Sequence, residues 1–134
     1  MKARNLILST LIAAACAATI LSCASAPKAV PEDLAAPILV QRAQEASDKY
    51  DYETALAYYR ALGERFGDDP AYLVGSEYEI AFIAFKQGRV AEAKAGFEAI
   101  LARYSAKDAA AYPVRYRILA AKLLDEIAAQ SKGK

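Results

Sequence analysis

The sequence predicts an all-α domain of paired helices. From about residue 38 onward the apolar residues recur at helical spacing, and no run alternates Val, Ile or Thr with polar residues as a half-buried strand would. Gly, Pro and Asp gather at intervals that cut this stretch into segments of ordinary helix length. Comparing the segments with one another then uncovers an internal repeat.

Each element follows from its boundaries. The first helix, 38–48, opens after Pro37 and closes at Asp48-Lys49-Tyr50-Asp51. The second, 52–66, runs to Gly67-Asp68-Asp69-Pro70, where an aspartate before a proline suits the start of a new helix. The third, 71–87, stops at Gln87-Gly88-Arg89, and the fourth, 90–104, at Ser105-Ala106-Lys107-Asp108. A fifth, 113–130, leaves a short tail, 131–134, read as disordered.

Laid over each other, the second and fourth helices pair Ala55 with Ala93, Tyr59 with Phe97, Leu62 with Ile100 and Phe66 with Tyr104, all at an offset of 38 residues. The same offset sets Ala43 on Ala81 in the preceding helices, so the repeating unit is a helical hairpin. Alanines at these positions let two helix backbones come close, and Tyr59 and Phe97 fill the space between adjacent hairpins. In the turn, the second unit has Gly88 where the first has Tyr50.

These residues resemble the tetratricopeptide repeat (TPR), a helical hairpin of about 34 residues with small residues in both helices and an aromatic four positions after the second alanine. The resemblance covers about residues 38–104. It implies about two TPR-like hairpins, with the fifth helix as a C-terminal cap or an incomplete third unit. The residues added to the standard unit fall in the exits of the second and fourth helices. In this the chain is similar to the repeats of envelope lipoproteins, such as the TPR subunit of the outer-membrane β-barrel assembly machinery, and of periplasmic cell-division coordinators.

Composition narrows the chemistry. The chain has 134 residues, 56% of them hydrophobic, with 17 Lys and Arg against 16 Asp and Glu, two Cys and no His. Without histidine, the commonest general base and the commonest zinc and haem ligand are missing. A net charge of +1 gives no electrostatic case for nucleic-acid binding. No glycine-rich phosphate loop, nucleophile elbow or metal-ligand cluster is present, so an enzyme, a metal and a cofactor are not expected.

The first 22 residues read as an export signal. Lys2 and Arg4 precede an uncharged stretch, Leu6 to Leu21, that is too short to favour spanning a membrane. It ends in Ile20-Leu21-Ser22-Cys23-Ala24, which resembles the bacterial lipobox, and the resemblance implies that Cys23 becomes the lipidated N-terminus. A thiolate is the soft nucleophile that takes up the diacylglyceryl group. Cys16 is the rival thiol, but Ala13 stands where the aliphatic residue is expected. Removal of residues 1–22 leaves 112 residues of net charge −1, with no cysteine besides Cys23, so stability rests on packing. Residues 23–37, with prolines at 27, 31 and 37, read as a flexible tether between lipid and helices. The folded domain is thus 38–130.

Partner-binding candidates lie in two places. The third helix carries Tyr78, Phe82, Phe85 and Lys86, which the TPR arrangement would point mostly to a concave face beside Gly75, with Tyr78 the most exposed of the aromatics. Aromatics with a nearby cation suit an extended or helical peptide. The alternative is that Phe82 and Phe85 pack against adjacent helices. The fifth helix opens with Tyr112, Arg115, Tyr116 and Arg117, of which Tyr112 and Arg115 are the second candidates, while Tyr116, Leu119 and Leu123 form a packing stripe. Asp68-Asp69 and Glu77 with Glu79 read as structural, the second pair splaying onto different faces.

The expectation is a lipid-anchored, periplasm-facing protein of a bacterial envelope, with the outer membrane slightly favoured. It would serve as a non-catalytic adaptor for envelope proteins. The alternative is a transporter-associated component that encloses a peptide or small apolar ligand.

Overall fold

The computed structural model of the protein describes residues 29–132. The signal segment 1–22, Cys23 and the first residues of the linker lie outside the described residues, as do residues 133 and 134. The described residues form five α-helices and no strand: α1 (Ala36–Asp48), α2 (Tyr52–Phe66), α3 (Pro70–Lys86), α4 (Val90–Arg103) and α5 (Val114–Lys132). A short 3-10 turn, Ala109–Ala111, leads into α5. Each helix packs against the next in sequence, and α3 also touches α5.

Two ends differ from the sequence reading by more than one residue. Helix α1 begins at Ala36, so Pro37 sits in the first turn, where a missing N–H has no helical partner to lose. The stretch before it, read as free tether, is docked from residue 30. Val30 and Leu34 pack on the α1/α2 core, and the Arg65 guanidinium donates to the carbonyls of Pro31 at 2.6 Å and Val30 at 3.0 Å. Two apolar side chains among prolines give that segment surface to bury, and its carbonyls take a cation in place of helical partners. At the other end α5 runs through Gln130 to Lys132, into the segment read as a tail, because no helix breaker stands before Gly133.

Two backbone bonds of the first hairpin turn recur in the second. Tyr50 N–H donates to Ser47 O at 3.0 Å and Asp51 N–H to Ala46 O at 2.9 Å; thirty-eight residues on, Gly88 N–H donates to Phe85 O at 3.0 Å and Arg89 N–H to Ala84 O at 2.9 Å. Both turns need a left-handed residue, Tyr50 with φ 60° and Gly88 with φ 73°. A methyl added at Gly88 would meet nothing within 4 Å, so the expected loss for Gly88→Ala, about 1 kcal/mol by chemical denaturation, is a backbone cost alone. An unchanged midpoint would show that this turn does not hold its left-handed geometry. Aspartates cap α2 and α3: Asp51 accepts from Thr54 N–H at 3.2 Å, and Asp69 accepts from Ala71 N–H at 2.8 Å.

The core forms in two clusters joined by α3. Leu39, Ala43, Ala55, Leu56, Tyr59 and Leu62 close the first hairpin, with Ile83 of α3 reaching into them. Val74, Tyr78, Ala81, Phe97, Ile100, Ala120, Leu123 and Ile127 close the second against α5. The paired positions of the repeat, 43 with 81, 55 with 93, 59 with 97 and 62 with 100, are all buried. On α5 the buried stripe is Ala120, Leu123 and Ile127 with Tyr116 half-buried, while Leu119, expected in the stripe, is 39% exposed. The spacing 116, 120, 123, 127 keeps one helical face, and 119 lies off it.

Candidate functional site

A pocket of about 230 Å³ opens between α1, α3 and α5, with α2 at its floor. Helix α3 contributes Ala71, Tyr72, Gly75 and Glu79, residues spaced to share one face. Helix α1 gives Val40 and Gln44, one turn apart, and α2 gives Tyr59 and Leu62. The first turn of α5 closes the pocket with Arg115 and Tyr116.

Gly75 makes the α3–α5 approach feasible. A Cβ there would stand 2.8 Å from the Tyr116 hydroxyl and 3.3 Å from its ring carbon, so a side chain at 75 displaces the tyrosine. Tyr116 in turn holds Arg115: the guanidinium lies over its ring, 4.5 Å from the centroid, and donates to its hydroxyl at 3.0 Å.

Glu79 is the half-buried carboxylate of the pocket. Among the described residues it has no hydrogen bond or ion pair. Burial pushes its carboxyl above the usual range, against a smaller opposing pull from Lys86. Its charge adds to burial in pushing up the phenol of Tyr59, and in raising Tyr78 to about 12. Because the folded form of Glu79 binds its proton more tightly than the unfolded chain does, its contribution favours folding in acid and is lost as pH rises through the folded value. Glu79→Gln is therefore expected to raise the melting temperature at neutral pH, with the gain vanishing below about pH 4. A variant no more stable than the parent at neutral pH would mean that the carboxylate is well solvated.

The companion carboxylate behaves differently. Glu77 faces α4 and takes a forked pair of hydrogen bonds from Arg103, one of them 2.7 Å from Nε to Oε2, which raises the arginine's pKa. The two glutamates do splay, one to an ion pair and one to the pocket.

Of the residues singled out in the sequence, Arg115 and the neighbouring Gly75 line this pocket. Tyr78 does not. Expected to be the most exposed of the aromatics, it is 8% exposed, its ring lying 5.9 Å from Phe82, 5.8 Å from Phe97 and 5.5 Å from Tyr116. Helix α3 is apolar around most of its circumference and is rotated so that Tyr78 faces α4 and α5. Phe82 and Phe85 are half-buried and pack on that same cluster. Lys86 is exposed, its ammonium 5.3 Å from the Tyr52 ring centre and 5.4 Å from that of Phe82. Tyr112 packs edge-on against Tyr104 at 5.8 Å beneath the Arg103 guanidinium. Glu79, Gln44, Tyr59 and Tyr72 were not foreseen as site residues. Glu79 alone carried a signal, as one of three charged residues in an otherwise uncharged α3, the others being Glu77 and Lys86.

No family model and no solved structure matches the chain. A protein of Treponema pallidum (strain Nichols), described as uncharacterized, is 33% identical over 97 residues, which is 71% of this chain. Those residues are 39% of the relative, so the chain spans about two fifths of its length.

Proposed function

We propose that the chain is a TPR-like adaptor, held at a bacterial envelope membrane through a lipid on Cys23, whose groove between α1, α3 and α5 receives a segment of an envelope protein. Outer-membrane protein assembly is the setting closest to its sequence resemblance. The observation that carries the reading is the origin of the pocket walls. Most of their residues come from the first helices of successive hairpins, the arrangement by which stacked repeats make a concave binding surface. The repeated turn bonds and the shared buried positions support the TPR likeness. The proposed role is binding without turnover, as the lack of histidine in the sequence suggests.

Two measurements test this. Cys23→Ala is expected to move the protein from the membrane to the soluble fraction, and its persistence in the membrane would end the anchor claim. Photo-reactive residues at Gln44 and Arg115 in the full chain are expected to capture the same envelope protein in cells, and a reactive residue at exposed Lys94 is not. Equal capture from all three would remove the groove from the mechanism.

A further inference from the structure

Glu79 and Arg115 bear opposite charges and line the same cavity, yet among the described residues no salt bridge joins either to the other or to a third residue, although the Lys86 ammonium also attracts Glu79. Glu79 is half-buried and would gain from a cationic partner, while Arg115 is exposed. Arg115 is stacked on Tyr116 and bonded to its hydroxyl. Glu79 projects from the interior of α3, one turn beyond the glycine that admits Tyr116. Val40, Leu62 and Tyr72 add apolar surface to the same lining.

We infer that this pocket binds a dipolar group of amino-acid size, its ammonium or guanidinium on Glu79 and its carboxylate on Arg115. Size supports the class: pockets for drug-sized ligands run to about 300–1,000 Å³, and this one is about 230 Å³. A ligand of either charge alone leaves one protein charge without a complement. Free amino acids and a peptide displaying neighbouring basic and acidic side chains share this chemistry. The inference goes beyond the adaptor reading and does not depend on it.

The test uses the full chain in detergent, with amide shifts of Ala71 and Gly75 as the readout. The dipolar probes are L-leucine, 4-aminobutyrate, 6-aminohexanoate and an end-capped Lys-Gly-Glu peptide. Butylammonium and butyrate are the single-charge controls. At least one dipolar probe is expected to bind about tenfold or more tightly than either control, a difference of about 1.4 kcal/mol. Glu79→Gln and Arg115→Gln are each expected to abolish that preference, the first leaving butyrate and the second butylammonium as the better control. Tighter binding of the capped peptide assigns the charges to a partner chain, and tighter binding of a free probe assigns them to a metabolite. Controls that bind as well as every dipolar probe, binding indifferent to both substitutions, or no saturable shift up to about 10 mM would overturn the inference. Crosslinking from Gln44 and Arg115 reports on the adaptor reading separately, so either can fail alone.

Discussion

Phe97→Ala is expected to cost about 3–5 kcal/mol of folding free energy, read as a drop in the urea midpoint with unchanged slope. Phe97 has no exposed surface and is the largest fully buried side chain among the described residues. It sits where α3, α4 and α5 converge, with Val74, Tyr78, Ala81, Ile100, Ala120 and Leu123 in the same cluster. Alanine there removes the transfer energy of a phenyl ring and leaves a hole that the three helices close only in part, since α3 is also packed against α2 on its other side. Domains of this kind have total stabilities of about 5–15 kcal/mol, so the loss is a large share of the whole. The effect also reaches the pocket. Phe97 supports the ring of Tyr78, and Tyr78 supports Tyr116, which forms the α5 wall. Tyr59, at the equivalent position of the first hairpin, borders the pocket and so has fewer neighbours on one side; Tyr59→Ala is expected to cost less than Phe97→Ala. A loss below about 1 kcal/mol at Phe97 would mean that the three helices do not share a core there.

Much of this architecture was legible in the sequence, and the part that was not has a common cause. Helix boundaries were readable because Gly67 to Pro70 and Gln87 to Arg89 combine turn residues with caps, which act locally. The core positions were readable because the residues at 55, 59, 62 and their counterparts at 93, 97, 100, matched at an offset of 38, are all buried where paired helices meet. Even the departure at Tyr50 proved conservative in geometry: the tyrosine adopts the left-handed turn that Gly88 adopts, with its side chain 76% exposed. The pocket was another matter. Its walls come from four helices, and which side of α3 faces it depends on the rotation of a helix whose circumference is mostly apolar. An amphipathic helix announces its rotation through its polar face. On α3 a turn of about 100° exchanges Tyr78 for Glu79, and only packing against α4 and α5 selects between them. On α5 the same one-position ambiguity put Leu119 in place of Ala120.

Leucine at the small positions is expected to separate the two hairpins in stability. Ala55 and Ala93 are both fully buried, and overpacking such sites typically costs about 1–3 kcal/mol. The two hairpins differ in how much they can yield. In the second, a Cβ on Gly96 would come within 2.7 Å of the Ala81 Cβ, so α3 and α4 are already at the limit of approach one turn from Ala93. In the first, the position equivalent to Gly96 is Tyr58, whose side chain is only half-buried and so can yield more than backbone in contact. Ala93→Leu should therefore fall toward the upper end of that range and Ala55→Leu toward the lower, both measured as loss of unfolding free energy in urea. The damage should also be local: Ala93→Leu disturbs the helices that carry Tyr78 and Tyr116, whereas Ala55→Leu disturbs α1 and α2. Near-neutral values at both positions would break the correspondence between the hairpins, since alanine would then not be what lets the paired helices meet. A larger loss at Ala55 would place the tighter crossing in the first hairpin, contrary to the contact between Gly96 and Ala81.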